Sequence, residues 1–135
     1  MTAYRTKAKA QGGRNGKATL EGSGVWFAMQ LPKEFGGLGE GSNPEQLFAL
    51  GYASCFNSAL LFAAAQKKVD VSAATVTADI GITRGDAGFG LDVVLNVSVP
   101  GMAKTEAEAL VDAAHQVCPY SKATRGNIPV KLNVV

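Results

Sequence analysis

Residues 42–68 read "SNPEQLFALGYASCFNSALLFAAAQKK", with no charged residue between Glu45 and Lys67. The opening has the marks of a helix start. Ser42 or Asn43 can cap it, Pro44 fits the first turn, where an N–H has no partner, and Glu45 suits the positive end of the macrodipole. The helix then runs to about Gln66 and is closed by Lys67 and Lys68. Its stripe Phe48, Tyr52, Cys55, Ala59, Phe62 is apolar, and so is the neighbouring stripe Leu47, Leu50, Leu61. A helix apolar nearly all round has to be covered on all sides. Residues 46–66 are long enough to span a bilayer. Gly51, Ser54, Asn57 and Ser58 interrupt that span, however, and the rest of the chain is patterned to build a core around something. A buried central helix is therefore expected, with no membrane insertion.

The flanking segments supply that surrounding structure. Residues 3–10 alternate in polarity, 17–21 form a short partner, and "VWFAMQL" places Val25, Phe27, Met29 and Leu31 on one face, which predicts three strands separated by "GGRNG" and "GSG" turns. "LPKEFGGLGEGS" is a long Gly-rich loop, and a loop of that length in a small domain is often functional. After the helix, Val76, Ala78, Ile80 and Ile82 alternate with polar residues, "RGDAG" turns, and Phe89, Leu91, Val93, Leu95, Val97 and Val99 alternate again, predicting a hairpin. A second helix over about 103–118 faces Ala107, Leu110, Val111, Ala114, Val117 and Cys118 inward. Thr105 with Glu108 offers it a capping box unless the helix starts a turn earlier, and Pro119 stops it. Ile128, Val130, Leu132 and Val134 alternate in a last strand, where Pro129 marks an edge or a strand start. The sum is a single α+β domain over 1–135.

At 135 residues the chain has a modest core, and its 47% hydrophobic content is more than such a core absorbs alone, which points to a subunit interface. The net charge of +2 is too small to argue for a nucleic-acid partner. Arg5, Lys7 and Lys9 alternate with Tyr4, Thr6, Ala8 and Ala10, as the wet face of a strand does. "MTAYRTKAKAQGG" has no apolar core of a secretory signal, so a cytoplasmic location is expected. Cys55 and Cys118 are then not a structural staple. If they pair in a reducing compartment, the pairing belongs to a redox cycle.

Most chemistries lack their residues. With one histidine and two cysteines a zinc site is improbable. There is no P-loop, and "GGLGEG" lacks the strand–turn–helix setting of a dinucleotide site. His115 reads as a partly exposed residue near a helix end. The thiols remain. Cys55 lies mid-helix in apolar surroundings that favour the neutral thiol, so it is either a packing residue or a nucleophile that needs a cation brought to it. Cys118 closes a helix at the negative end of its dipole, which makes it the poorer first attacker and suits it to resolving.

Three segments, "GGRNG", "NPEQLFALGYASCFNSAL" and "AHQVCPYSKATRGN", together resemble the organic hydroperoxide resistance family within the wider OsmC-like superfamily. The order and spacing agree over essentially the whole chain, and "VCPYSKATRGN" points to this branch. The resemblance implies an OsmC-like fold, with antiparallel sheets around a long buried central helix, in an intertwined homodimer with sites at its interface. It implies a thiol peroxidase for organic and fatty-acid hydroperoxides that binds no metal, haem or flavin. It assigns attack to Cys55, resolution to Cys118, stabilisation of the thiolate to Arg14 and orientation of that arginine to Glu45. It also implies an external dithiol reductant, a lipoyl group on a carrier protein. Phe48, Tyr52, Phe62, Tyr120 and the 33–41 loop are pocket candidates, and Asn57 and Ser58 are positions that could tune substrate preference.

Glu45 and Cys55 are ten residues apart, about 15 Å along a straight helix. Arg14 and Glu45 would then reach a sulfur most simply from a second subunit. Two other functions stay open: an OsmC-type peroxidase of broader substrate range, and a non-enzymatic redox sensor or apolar-ligand binder.

Overall fold

Asn43 Oδ1 accepts the backbone N–H of Gln46 at 2.8 Å, which makes Asn43 the cap of the long helix. That helix, α1, runs Pro44–Gln66. The computed structural model describes residues 1–135, and the chain divides into two compact units, 1–47 and 48–135.

In the first unit, β1 (Ala8–Gln11), β2 (Lys17–Leu20) and β3 (Trp26–Ala28) form an antiparallel sheet in the order β1-β2-β3. Two strands are shorter than their alternation suggests. β1 takes only the end of the 3–10 segment and is exposed throughout. β3 ends at Ala28, although the Met29 N–H still donates to Gly16 O at 2.8 Å in register with the β2–β3 pairing, and Met29 also bridges Ser42. Met29 is buried while Val25 stays exposed, so the expected face is only partly used.

In the second unit, β4 (Thr75–Gly85) and β5 (Gly88–Ser98) make a long hairpin that pairs Val76 with Val97, Ala78 with Leu95 and Ile80 with Val93. The helices α2 (Lys104–Val117) and α3 (Pro119–Thr124) follow, then β6 (Val130–Val134) on the sheet edge, just after Pro129. The expectation of wholly antiparallel sheets is corrected here: β6 runs parallel to β5. The α2–α3 segment is a crossover connection, which returns the chain to the same end of the sheet and so allows a parallel partner.

Tyr52, Phe56, Ala59, Leu60, Ala63 and Ala64 of α1 share one core with Val93, Leu95 and Val97 of β5 and with Leu110, Val111 and Ala114 of α2. These α1 positions follow the spacing of one helix face. Within one chain the central helix is therefore buried on this face alone. Leu50, Leu61 and Phe62 are 62%, 43% and 57% exposed. A sequence apolar all round has no amphipathic contrast to say which face the core takes. α1 is long and apolar enough to cross a membrane by length and composition, as many core helices are.

Two smaller expectations also change. Ala103, with no side-chain cap bond, precedes α2, so Thr105 and Glu108 lie inside the helix and form no capping box. Pro119 does more than end α2. It occupies the first turn of α3, where its missing N–H costs nothing, and leaves Cys118 as the joint between two helices.

Candidate active site

The 3-10 turn Gly13–Asn15 joins β1 to β2, with Gly12 at φ 81° and Gly13 at φ 59°. Side-chain-bearing residues rarely hold that left-handed region, so the two glycines let the chain turn tightly and project Arg14. Asn15 Oδ1 accepts the Leu31 N–H at 3.2 Å, tying the turn to the following segment. Arg14 meets Glu45 in a two-pronged pair: Nη1 donates to Oε2 at 2.8 Å and Nη2 to Oε1 at 2.6 Å. The hydrogen bonds from Arg14 hold the Glu45 carboxyl below the usual carboxylate range, and the same pairing raises the Arg14 guanidinium further. The fork-to-fork geometry fixes the plane of the guanidinium as well as its charge.

The second unit brings the two cysteines together. Both are free thiols, and the Cys118 Sγ–H points at Cys55 Sγ from 3.5 Å. Cys118 is fully buried and Cys55 half-buried. Burial pushes the Cys55 thiol up from its ordinary value. The backbone N–H of Tyr120 works in the opposite direction by donating toward the sulfur, and the Cys118 thiol adds to the rise. Within its own unit, then, Cys55 is held close to a partner thiol, and its surroundings favour the neutral form.

Phe48, Tyr52 and Tyr120 form a three-ring cluster with centroids 5.7–6.1 Å apart. Phe62 stands apart from it. It lies seven residues beyond Cys55, about 10 Å along the helix, and is largely exposed. Asn57 donates to the Ala74 carbonyl at 3.3 Å and Ser58 to the Ser54 carbonyl at 3.0 Å, so both bond to main chain. In the first unit, the 33–41 loop opens with the 3-10 turn Lys33–Phe35 and leaves Leu38 exposed.

Sequence reasoning missed a chain of polar groups beside the thiols. His115 Nδ1 lies 2.8 Å from Ser121 Oγ, which lies 2.8 Å from the Tyr52 hydroxyl, and Thr124 Oγ1 follows at 3.1 Å. Thr124 donates its own proton to the Ser121 carbonyl at 3.3 Å. Counting protons back from there, Tyr52 donates to Thr124, Ser121 to Tyr52 and His115 Nδ1–H to Ser121. Burial holds the His115 imidazolium below its ordinary pKa, and the nearby Arg125 charge lowers it further. The available signal was the "CPYSKAT" segment: a proline in a first helical turn predicts a new helix as well as the end of the old one.

The family model described as OsmC-like protein matches residues 37–133. The organic hydroperoxide resistance protein of Xanthomonas axonopodis pv. citri is 47% identical over 133 residues, covering 97% of this chain and 94% of its own. The solved organic hydroperoxide resistance protein OsmC of Legionella pneumophila superposes with a TM-score of 0.94 at 44% identity, covering 99% of this chain and 98% of its own. That of Elizabethkingia anophelis superposes at 0.92 with 47% identity, covering 98% and 96%. This chain therefore belongs to the organic hydroperoxide resistance proteins of the OsmC/Ohr superfamily.

Proposed function

We propose that the protein is a cysteine-based peroxidase that reduces organic and fatty-acid hydroperoxides to alcohols. The observation that carries this reading is the pair of free thiols, Cys55 and Cys118, with sulfurs 3.5 Å apart at the edge of an apolar core. The Cys55 thiolate attacks the terminal oxygen of the hydroperoxide. The O–O bond breaks, the alkoxide leaves as the alcohol after taking a proton, and Cys55 becomes a sulfenic acid. The Cys118 sulfur then displaces hydroxide, which departs as water with the Cys118 proton, and a Cys55–Cys118 disulfide remains. An external dithiol, a lipoyl group on a carrier protein, reopens it by thiol exchange. No bound cofactor takes part, and the cycle suits the reducing cytoplasm.

Arg14 supplies the positive charge that the apolar surroundings of Cys55 lack, and Glu45 orients it. The ten-residue spacing of Glu45 and Cys55 and the exposed Leu50, Leu61 and Phe62 support a homodimer in which each site draws Arg14 and Glu45 from the partner subunit. Phe48 and Tyr120 offer an apolar wall that favours organic peroxides over hydrogen peroxide, with the buried Tyr52 ring packed behind them.

Peroxide consumption with dihydrolipoamide as reductant tests the proposal. The protein is expected to consume cumene hydroperoxide well ahead of hydrogen peroxide. Cys55→Ser abolishes turnover, and Arg14→Ala lowers it by at least about a hundredfold, as loss of a transition-state charge partner does. Full activity in Cys55→Ser would overturn the proposal, and equal use of both peroxides would favour the broader OsmC-type enzyme.

A further inference from the structure

The Cys118 joint is braced on three sides by groups that take no part in thiol chemistry. The Arg125 guanidinium donates to the His115 carbonyl at 2.6 Å, closing the last turn of α2 onto the end of α3. The His115 ring reaches Ser121 Oγ across the same joint at 2.8 Å. Ser121 Oγ also reaches the hydroxyl of Tyr52 on α1 at 2.8 Å, one turn before Cys55. Ser121 and Tyr52 are fully inaccessible to solvent, and Thr124 nearly so. Apolar residues of the same shape would fill this space without strict geometric demands. Buried hydroxyls that satisfy one another accept a single arrangement and so hold two helices in one register. That register decides where Cys118 stands. Lys122 N donates to Cys118 O at 3.0 Å, so Cys118 belongs to the first turn of α3 and moves with Ser121.

Resting on the peroxidase reading above, we propose that Ser121, clamped between Tyr52 and His115, is a positioning residue for the resolving step. It holds the Cys118 sulfur in line with the Cys55 sulfenic acid, so that the S–S bond forms and the S–O bond breaks before a second peroxide oxidises Cys55. The Ser121 hydroxyl bonds to Tyr52 and His115, and Ser121 acts through the α2–α3 joint.

Single-turnover kinetics separate the two steps. One equivalent of cumene hydroperoxide is added to the reduced protein, loss of the Cys55 thiol reports attack, and trapping of the sulfenic acid against disulfide reports closure. In Ser121→Ala, closure is expected to slow by at least about tenfold, since displacements of about 1 Å cost rates of that order or more. Attack slows by less than about threefold. Under excess peroxide, sulfinic acid on Cys55 rises in proportion as closure slows. His115→Ala removes only the outer link and is expected to give a smaller slowing of closure in the same direction, with the core hydroxyl pair intact. Closure at the parent rate in both variants would overturn the proposal. So would an equal slowing of attack and closure, which is the mark of general loosening. If the parent protein itself forms no Cys55–Cys118 disulfide, it is the peroxidase reading that fails, and that result is visible before any variant is made.

Discussion

At the scale of single residues the site sets two opposing influences on one sulfur. Burial raises the Cys55 thiol, while the Tyr120 N–H and, in the proposed mechanism, Arg14 draw it back toward the thiolate. The value of Arg14 depends on Glu45 keeping its charge. Because hydrogen bonds from Arg14 depress the Glu45 pKa, the pair is fully formed above the ordinary carboxylate range and is lost only as pH falls through the lowered folded value. The stability difference between the parent protein and Glu45→Gln is therefore expected to be flat from neutral pH to about pH 5 and to shrink below about pH 4. With the Arg14 side chain 41% exposed, screening limits that difference to about 1 kcal/mol. Denaturant midpoints measured across that range check it. A difference that grows in acid would contradict the sign of the Glu45 shift.

At the scale of elements, the docking of α3 on α1 depends on a missing side chain. A Cβ placed on Gly51 would stand 2.7 Å from the Tyr120 hydroxyl and 3.1 Å from the nearest ring carbon. Alanine in a helix interior otherwise stabilises by about 1 kcal/mol over glycine. Gly51→Ala is expected to destabilise the parent protein. In a Tyr120→Phe background, where the closest atom is gone and only the ring carbons at 3.1 and 3.2 Å remain, the same change is expected to cost less. A double-mutant cycle on unfolding midpoints reads the coupling, and strict additivity would mean that Tyr120 does not rest on Gly51.

The same elements show what was legible from sequence and what was not. The alternation of Val93, Leu95 and Val97 and the stripe Ala107, Leu110, Val111, Ala114 carry enough polar contrast to place both elements and their buried faces. α1 carries none, so its existence was readable but its orientation was not: Tyr52, Phe56 and Leu60 take the core, while Phe62 stays outside. The cysteine and arginine positions were marked by local motif. Ser121 and Thr124 were not, because a hydroxyl in a short helix announces no partner, and theirs lies on another element about seventy residues away.

At the scale of the whole molecule, the proposed symmetry makes a prediction that no single-chain site can satisfy. A two-fold dimer in which each sulfur takes its cation from the other subunit tolerates defects placed in different chains. A subunit carrying Cys55→Ser still offers its Arg14, and one carrying Arg14→Ala still offers its Cys55. The first homodimer has no attacking thiol, and the second keeps at most about one hundredth of the parent activity. Mixed in equal amounts and allowed to exchange, half the molecules become heterodimers holding one intact site and one doubly defective one. Activity is then expected to recover to about a quarter of the parent value per subunit, with a time course set by subunit exchange. If Arg14 and Cys55 of the same chain formed each site, every site in the mixture would carry one defect and no activity would return. Lipoamide-dependent peroxide consumption followed from the moment of mixing reads the result directly. A flat trace despite demonstrated exchange would retire the shared site while leaving the chemistry of Cys55 and Cys118 intact.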